Sequence, residues 1–296
     1  MSPKRWIVIL QILAADHFWS VRRGCASPSR VAKRSRRWPS LIRAACLCCA
    51  CPARRVKPDN PNLPGITENE VWCLRMAQAI GIEAAQATIL RASGRTAIGV
   101  LRYDRRLGRN GQILRLHQED LAQANGFPPG RKYERGTLRG LDLKTLLETG
   151  SHVSANDALA LLDQVIFNIL VANTDAHAKN YSLILSVAAA PRLAPLYDVS
   201  SVLPWPHVVQ SYAQSIAGKK RTPEMIAGRH WERVARDIGY RPTDVRKRVQ
   251  ELVDKLIACR VNVTAEVAGL RGATEGYVTQ TAEAVEGNAL RMAGRL

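Results

Sequence analysis

Apolar positions in the second half of the chain recur at helical intervals. Between Ser154 and Ala172, the side chains Ala158, Leu161, Leu162, Val165, Ile169 and Leu170 fall on one stripe, with Ser154 and Asp157 placed to cap its start. The pattern predicts a helix over 154–172, and shorter or similar stripes predict helices over 142–147, 243–261 and 274–291. Nearer the beginning, Val71, Leu74 and Ile80 predict a helix over 67–80 that Gly81 ends, and Thr67-Glu68-Asn69-Glu70 reads as a capping box. Strands are predicted over 87–90 and 96–103 around a turn at Ser93-Gly94, then over 181–187 and 192–196 around 188–191. Gly108-Arg109-Asn110-Gly111 marks a further turn. The order of elements describes an α+β chain: a small strand-bearing part over 56–106 and a mostly helical part over 107–296.

Polar residues are concentrated between the long helix and the second strand pair. Asn173-Thr174-Asp175-Ala176-His177-Ala178-Lys179-Asn180 is followed, across the hairpin, by Tyr197-Asp198. Phosphoryl transfer needs a carboxylate to orient and deprotonate the attacking hydroxyl, a carboxamide on a magnesium ion, and a second carboxylate bridging that ion to the nucleotide phosphates. Asp175, Asn180 and Asp198 supply these groups in that order, and Asp175 and Asn180 have the D-x-x-x-x-N spacing of a kinase catalytic loop. Taken singly, an Asp or Asn in a loop serves turn chemistry equally well, because its side chain bonds nearby amides. The ordered triple on a helix, loop and hairpin mount is what points to catalysis.

More of the chain then fits one pattern. Asn-Thr-Asp-Ala-His-Ala-Lys-Asn followed by Leu-Ala-Pro-Leu-Tyr-Asp resembles the signature of the HipA-type serine/threonine kinases, the toxin half of a bacterial toxin–antitoxin pair. Glu70 in Glu-Asn-Glu-Val, Arg102-Tyr103-Asp104-Arg105, His117-Gln118-Glu119-Asp120, Lys132-Tyr133-Glu134 and the stretch Ala284 to Arg291 carry the resemblance from about Val56 to the end. It implies a bilobal protein-kinase-like fold with a reduced small lobe, and ATP and Mg2+ as cofactors. Asp175 would be the catalytic base and Asn180 and Asp198 the magnesium ligands. His177, Ala178 and Lys179 would lie near the phosphates, and Tyr197 beside the nucleotide. Lys57 would contact the phosphates, and Leu101, Arg102 and Tyr103 would line the adenine through their backbone. Where this chain has Leu101 the family usually has an acidic residue. Glu70 has two readings that the sequence leaves open: a cap of the 67–80 helix, or the partner of Lys57. The resemblance also implies a HipB-like antitoxin partner, contact with DNA through that partner, and a protein substrate in the translation machinery such as an aminoacyl-tRNA synthetase.

Charge separates the first fifty-odd residues from the rest. Through Arg55 the chain holds twelve of its 43 Lys and Arg residues and one of its 25 Asp and Glu residues, so +11 of the net +18 comes from this stretch. It also carries Cys25, Cys46, Cys48, Cys49 and Cys51 without the paired C-x-x-C spacing of a zinc site. Lys4-Arg5 before an apolar run faintly resembles a signal peptide, but Asp16 and His17 follow at once. With no sustained periodicity, 1–55 reads as a disordered or out-of-frame segment outside the fold, and the family's N-terminal subdomain and phosphate loop are not legible in it. Weak ATP binding and slow turnover are the expected cost. No stretch of eighteen apolar residues is present, and cysteine is sparse beyond Cys51; a reducing, cytoplasmic setting follows. Two rivals stand beside the enzyme: a pseudokinase that keeps the antitoxin-binding surface, and a nucleic-acid binder using Arg246, Lys247 and Arg248, which lacks any accompanying recognition motif.

Overall fold

The computed structural model describes residues 54–92, 94–108, 110, 112–186 and 190–296. The expectations for the cysteine-bearing start, and for Ser93, Ala188 and Ala189 as turn residues, lie outside the described residues.

Three antiparallel strands open the fold in the order β1 (Arg54–Pro58), β3 (Arg95–Leu101), β2 (Ala87–Ala92). In the register, Lys57 on β1 stands opposite Ile98 on the central strand, and Ile98 stands opposite Ile89 on β2. Helix α1 (Ile66–Ala79) contributes Val71, Trp72, Cys73, Leu74, Met76 and Ala77, all fully buried. It begins at Gly65, whose φ of +78° suits glycine, and a Cβ there would meet the Tyr277 ring at 2.5 Å. The capping box expected at Thr67 does not form. The helix starts earlier, Thr67 Oγ1 donates to Glu68 Oε2 at 2.6 Å, and Glu68 Oε1 accepts from Thr274 N at 3.1 Å. Glu70, one turn in, is thereby released for other work.

Next come a short hairpin, β4 (Arg105–Leu107) with β5 (Ile113–Arg115), closed by Gly108 N donating to Gln112 O at 2.8 Å, then β6 (His117–Asp120) and the one-turn helix α2 (Leu121–Ala124). Helices α3 (Leu143–Ser151) and α4 (Ala155–Leu170) follow, the second capped by Ser154 Oγ accepting from Asp157 N at 3.0 Å, as its sequence predicts. β7 (Ser182–Leu185) pairs with β6 on one side and β8 (Arg192–Leu193) on the other. β8 is shorter than the pattern over 192–196 predicts, because the chain changes partners. Leu196 forms a parallel bridge with Ala84, its N–H donating to Glu83 O and its carbonyl accepting from Ala85 N, both at 2.8 Å. That exchange ties the 82–86 linker to the segment that delivers Asp198.

Helices α5 (Gly228–Asp237), α6 (Pro242–Ala268) and α7 (Glu275–Ala293) complete the fold. α6 begins with proline at its first position and outruns the expected end at 261, since Val263 and Val267 continue the buried stripe of Val245, Val249, Leu252, Val253 and Leu256. α6 and α7 pack on α1, so one continuous apolar cluster runs from the first sheet through α4 to α7. Among the described residues no helix is long and apolar enough to cross a membrane.

Candidate active site

The polar loop is held at both ends by carboxamides. After α4, Ala172 takes a left-handed backbone (φ +56°) and Asn173 N donates to Asn168 O at 2.8 Å. Asn173 Nδ2 donates to Asn168 Oδ1 at 2.8 Å, and Asn168 Nδ2 reaches the Tyr181 hydroxyl at 3.1 Å, so helix end, loop start and loop exit share one buried network. Inside the loop His177 N donates to Asp175 O at 2.7 Å and Asn180 N to His177 O at 2.8 Å. Asn180 Nδ2 donates to Asp175 O at 3.0 Å, which commits the amide nitrogen to the loop and leaves Oδ1 as the side chain's acceptor oxygen.

Asp198 is brought to this loop by its neighbours. The Tyr197 hydroxyl donates to Lys179 O at 2.8 Å and pairs with Ser182 Oγ at 2.7 Å. On the far side Ser201 is clasped by Asn69 of α1, which donates to its carbonyl at 3.1 Å and accepts from its N–H at 2.8 Å. Asp198 itself sits at φ +59°, a conformation non-glycine residues rarely hold without surrounding support. His177 lies within electrostatic reach of both Asp175 and Asp198.

Lys57 joins the two parts of the molecule. Its Nζ is 2.8 Å from each Glu70 oxygen and 2.5 Å from Asp198 Oδ1. Of the two readings of Glu70, the ion pair is therefore the one realised. Burial draws the Lys57 ammonium down, but Glu70 and Asp198 outweigh it and hold the pKa above its usual value. Burial pushes Asp198 up, and Lys57 overrides that and leaves the carboxyl lowered. Glu70 is the most enclosed of the three, and there burial wins and raises the carboxyl despite Lys57. Its symmetrical contact with the ammonium is nevertheless that of an ionised carboxylate.

The remaining sequence-predicted residues divide. Tyr103 lies against Tyr197, the neighbour of Asp198, with ring centroids 5.6 Å apart. Arg102 forks onto Asp104 at 2.8 and 2.6 Å, and Arg105 binds the same carboxylate. The Leu101 N–H is already donated to Gln86 O at 2.8 Å, leaving Arg102 and Tyr103 as the backbone at the end of β3. Lys179 Nζ is 2.5 Å from Asp120 Oδ2, while Asp120 Oδ1 caps α2 by accepting from Gln123 N at 2.9 Å. Ala178 is buried beneath the loop, and its N–H donates to Lys132 O at 3.3 Å. Buried His177 keeps its Nδ1 without a hydrogen-bond partner, and burial holds the imidazole below its ordinary pKa. Sequence reading gave no role to Asn69, Asp120, Tyr133 or Asn168. For Asn69 and Asn168 the available signal is a polar residue on an otherwise buried helical stripe.

Asn180 Oδ1 and the Asp198 carboxylate are oxygen donors of the kind magnesium takes, an ion that uses one or two protein oxygens and draws its other ligands from water and substrate phosphates. Among the described residues no three His, Cys, Asp or Glu side chains cluster as a self-sufficient metal site. A small, half-open cavity lined by Val165, Asn168, Asn173, Tyr181 and Gln214 lies beside the loop and is sized for water rather than a nucleotide.

Fold and site together define a kinase-like protein. Residues 55–259 match the model of the HipA-like C-terminal domain, and the chain belongs to that family. It is 38% identical over 216 residues to Y4mE of Sinorhizobium fredii, named as a candidate kinase, covering 73% of this chain and 51% of that protein. It is 32% identical over 163 residues to the serine/threonine-protein kinase toxin HipA of Shewanella oneidensis, covering 50% of this chain and 37% of the toxin. The chain thus spans about half the length, or less, of these curated relatives. Among solved structures, the HipA, HipB and operator DNA complex of the Shewanella oneidensis toxin–antitoxin system matches with a TM-score of 0.73 at 24% identity, over 82% of this chain and 59% of that one. The proinflammatory kinase CtkA of Helicobacter pylori matches with a TM-score of 0.53 at 11% identity, over 81% and 85%. At these identities the structural likeness is one of fold.

Proposed function

We propose that the chain is an ATP- and magnesium-dependent protein serine/threonine kinase of the HipA type. The observation that carries the reading is the convergence of Lys57, Glu70 and Asp198 from three separate elements beside the Asp175 to Asn180 loop. Glu70 fixes the Lys57 ammonium from the α1 side, so that it can neutralise phosphate charge without moving. Asn180 and Asp198 would hold magnesium, which when bound neutralises charge developing on the transferred phosphoryl group. Asp175 orients the acceptor hydroxyl and takes its proton. Lys57 donates to the Asp198 carboxylate, so Lys57 and a bound magnesium ion would both draw on that group. Arg102 and Tyr103 form the backbone edge for the adenine, with Tyr197 packed behind it. The acceptor we infer is a Ser or Thr of a protein of the translation machinery. A HipB-like antitoxin, and DNA through it, are the partners that the HipA complex suggests. The setting is the cytoplasm.

Calorimetric titration with a magnesium-bound non-hydrolysable ATP analogue, and γ-phosphate transfer to casein or to the chain itself, test the reading. Asp175→Asn should bind the analogue like the parent and transfer at least about a hundredfold more slowly, the scale of a lost general base. Equal transfer by the two would remove Asp175 as base; no analogue binding by the parent would remove the kinase reading.

A further inference from the structure

Tyr133 touches the base. Its hydroxyl donates to Asp175 Oδ1 at 2.6 Å, and its ring is fixed on two sides, edge-on to His177 with centroids 5.2 Å apart and beneath the Lys132 ammonium at 4.7 Å. The backbone carrying it is fixed as well. Lys132 O accepts from Ala178 N in the catalytic loop at 3.3 Å. Glu134, buried, accepts from Ser215 N at 2.5 Å, and Arg135 donates to Ser215 Oγ at 2.9 Å and Gly218 O at 3.1 Å. Gly140 N donates to Tyr133 O at 3.1 Å and Glu134 O at 3.2 Å, so close that a Cβ at residue 140 would stand 2.1 Å from Arg131 O.

We propose that Tyr133 is a positioning residue for Asp175. The phenol occupies one carboxylate oxygen and leaves the other, Oδ2, to face the acceptor hydroxyl, selecting one rotamer of a side chain that no other described hydrogen bond restrains. Since residues 132–135 are tied to the catalytic loop on one side and to 215–218 on the other, the orientation of the base depends on how the segment after Asp198 is seated. This rests on the kinase reading above, but the pairing itself does not.

Two measurements separate the cases. In protein labelled with 13C at tyrosine Cζ, the Tyr133 resonance, assigned by its loss in Tyr133→Phe, should move when Asp175 is replaced by Asn. A resonance that stays in place shows that the pair does not exist in solution and overturns the proposal whatever the activity. In kinetics with casein as acceptor, Tyr133→Phe keeps the ring packing and removes only the hydroxyl. It should lower kcat roughly ten- to hundredfold, the worth of one hydrogen bond to an ionised group, with KM for ATP within about twofold of the parent. Combining Tyr133→Phe with Asp175→Asn should cost no more than Asp175→Asn alone, because both act through one group. An unchanged kcat, or a loss confined to KM, assigns the tyrosine to packing. A parent that binds no ATP analogue sinks the kinase reading, and with it any reaction for Tyr133 to serve.

Discussion

One ammonium between two carboxylates of unequal exposure makes Lys57 the residue on which the site's electrostatics turn. The Glu70 side chain is 6% exposed and that of Asp198 is 40% exposed, so solvent screens the second ion pair and hardly the first. Removing Lys57 strands Glu70 in the core, whereas removing Asp198 leaves Lys57 with Glu70. Lys57→Met should therefore destabilise the fold by about 2 kcal/mol at pH 8, less than the roughly 3 to 5 kcal/mol of breaking a fully buried pair because the lysine is itself partly exposed. The deficit should shrink toward pH 5. Burial already raises the Glu70 carboxyl, and a group with a raised folded pKa adds stability at low pH that is lost as pH rises through that pKa. Urea unfolding of parent and variant at both pH values checks the sign; a deficit that grows on acidification would show that Glu70 is solvated in the variant. In the parent, Asp198 is lowered and Lys57 raised, so the first is lost only below the ordinary carboxylate range and the second only at strongly alkaline pH. Those two groups therefore give no pH dependence near neutrality.

Near-neutral pH dependence belongs instead to the start of α5, where His230 Nδ1 accepts from Ala227 N at 3.1 Å. His230 is buried, and burial, with Arg221 and Arg229 nearby, lowers its pKa. Protonation would cancel the acceptor and place a third cation there, so this contribution is present above the imidazole's ordinary pKa and lost as pH falls through the lowered value. Thermal unfolding from pH 8 to pH 5 should fall more steeply for the parent than for His230→Gln, which can keep the acceptor without titrating; parallel curves would put the dependence elsewhere. α5 also shows where sequence reading stops. α4 and α6 were legible because long apolar stripes and a serine cap or N-terminal proline announce them, but Arg229, Glu232, Arg233, Arg236 and Asp237 leave α5 only Trp231, Val234 and Ala235 as buried apolar side chains. β6, read His-Gln-Glu-Asp, has no apolar alternation at all and is a strand only because β7 pairs with it. The Asp175 to Asn180 loop was legible because its spacing is local. The choice between capping and ion pairing for Glu70 was not, because Lys57 lies thirteen residues away on another element.

At the scale of the molecule, three of the ties that hold the first sheet and α1 against the helices are the shared apolar core, the Leu196 bridge to the 83–85 linker, and the Lys57 to Asp198 pair. The first two are permanent. The third is polar and partly exposed, and it joins the groups that a nucleotide with magnesium would engage from both sides. Such a ligand replaces one weak cross-link by several, and its binding energy then appears as folding stability. At a concentration one hundred times its Kd, the magnesium-bound ATP analogue should stabilise the chain by about 2.7 kcal/mol, and raise Tm by roughly 5 to 10 °C for a fold of this size. Chelating magnesium should reduce the shift, since Asn180 and Asp198 then contribute no coordination. Asp198→Asn should show a smaller shift that chelation hardly changes, and Lys57→Met a smaller shift that chelation still reduces. Scanning fluorimetry on the three proteins, each with and without chelator, separates the two contributions. If chelation leaves the parent's shift intact, Asn180 and Asp198 do not hold an ion, and the Lys57 to Asp198 pair is a structural cross-link between the sheet and the helices.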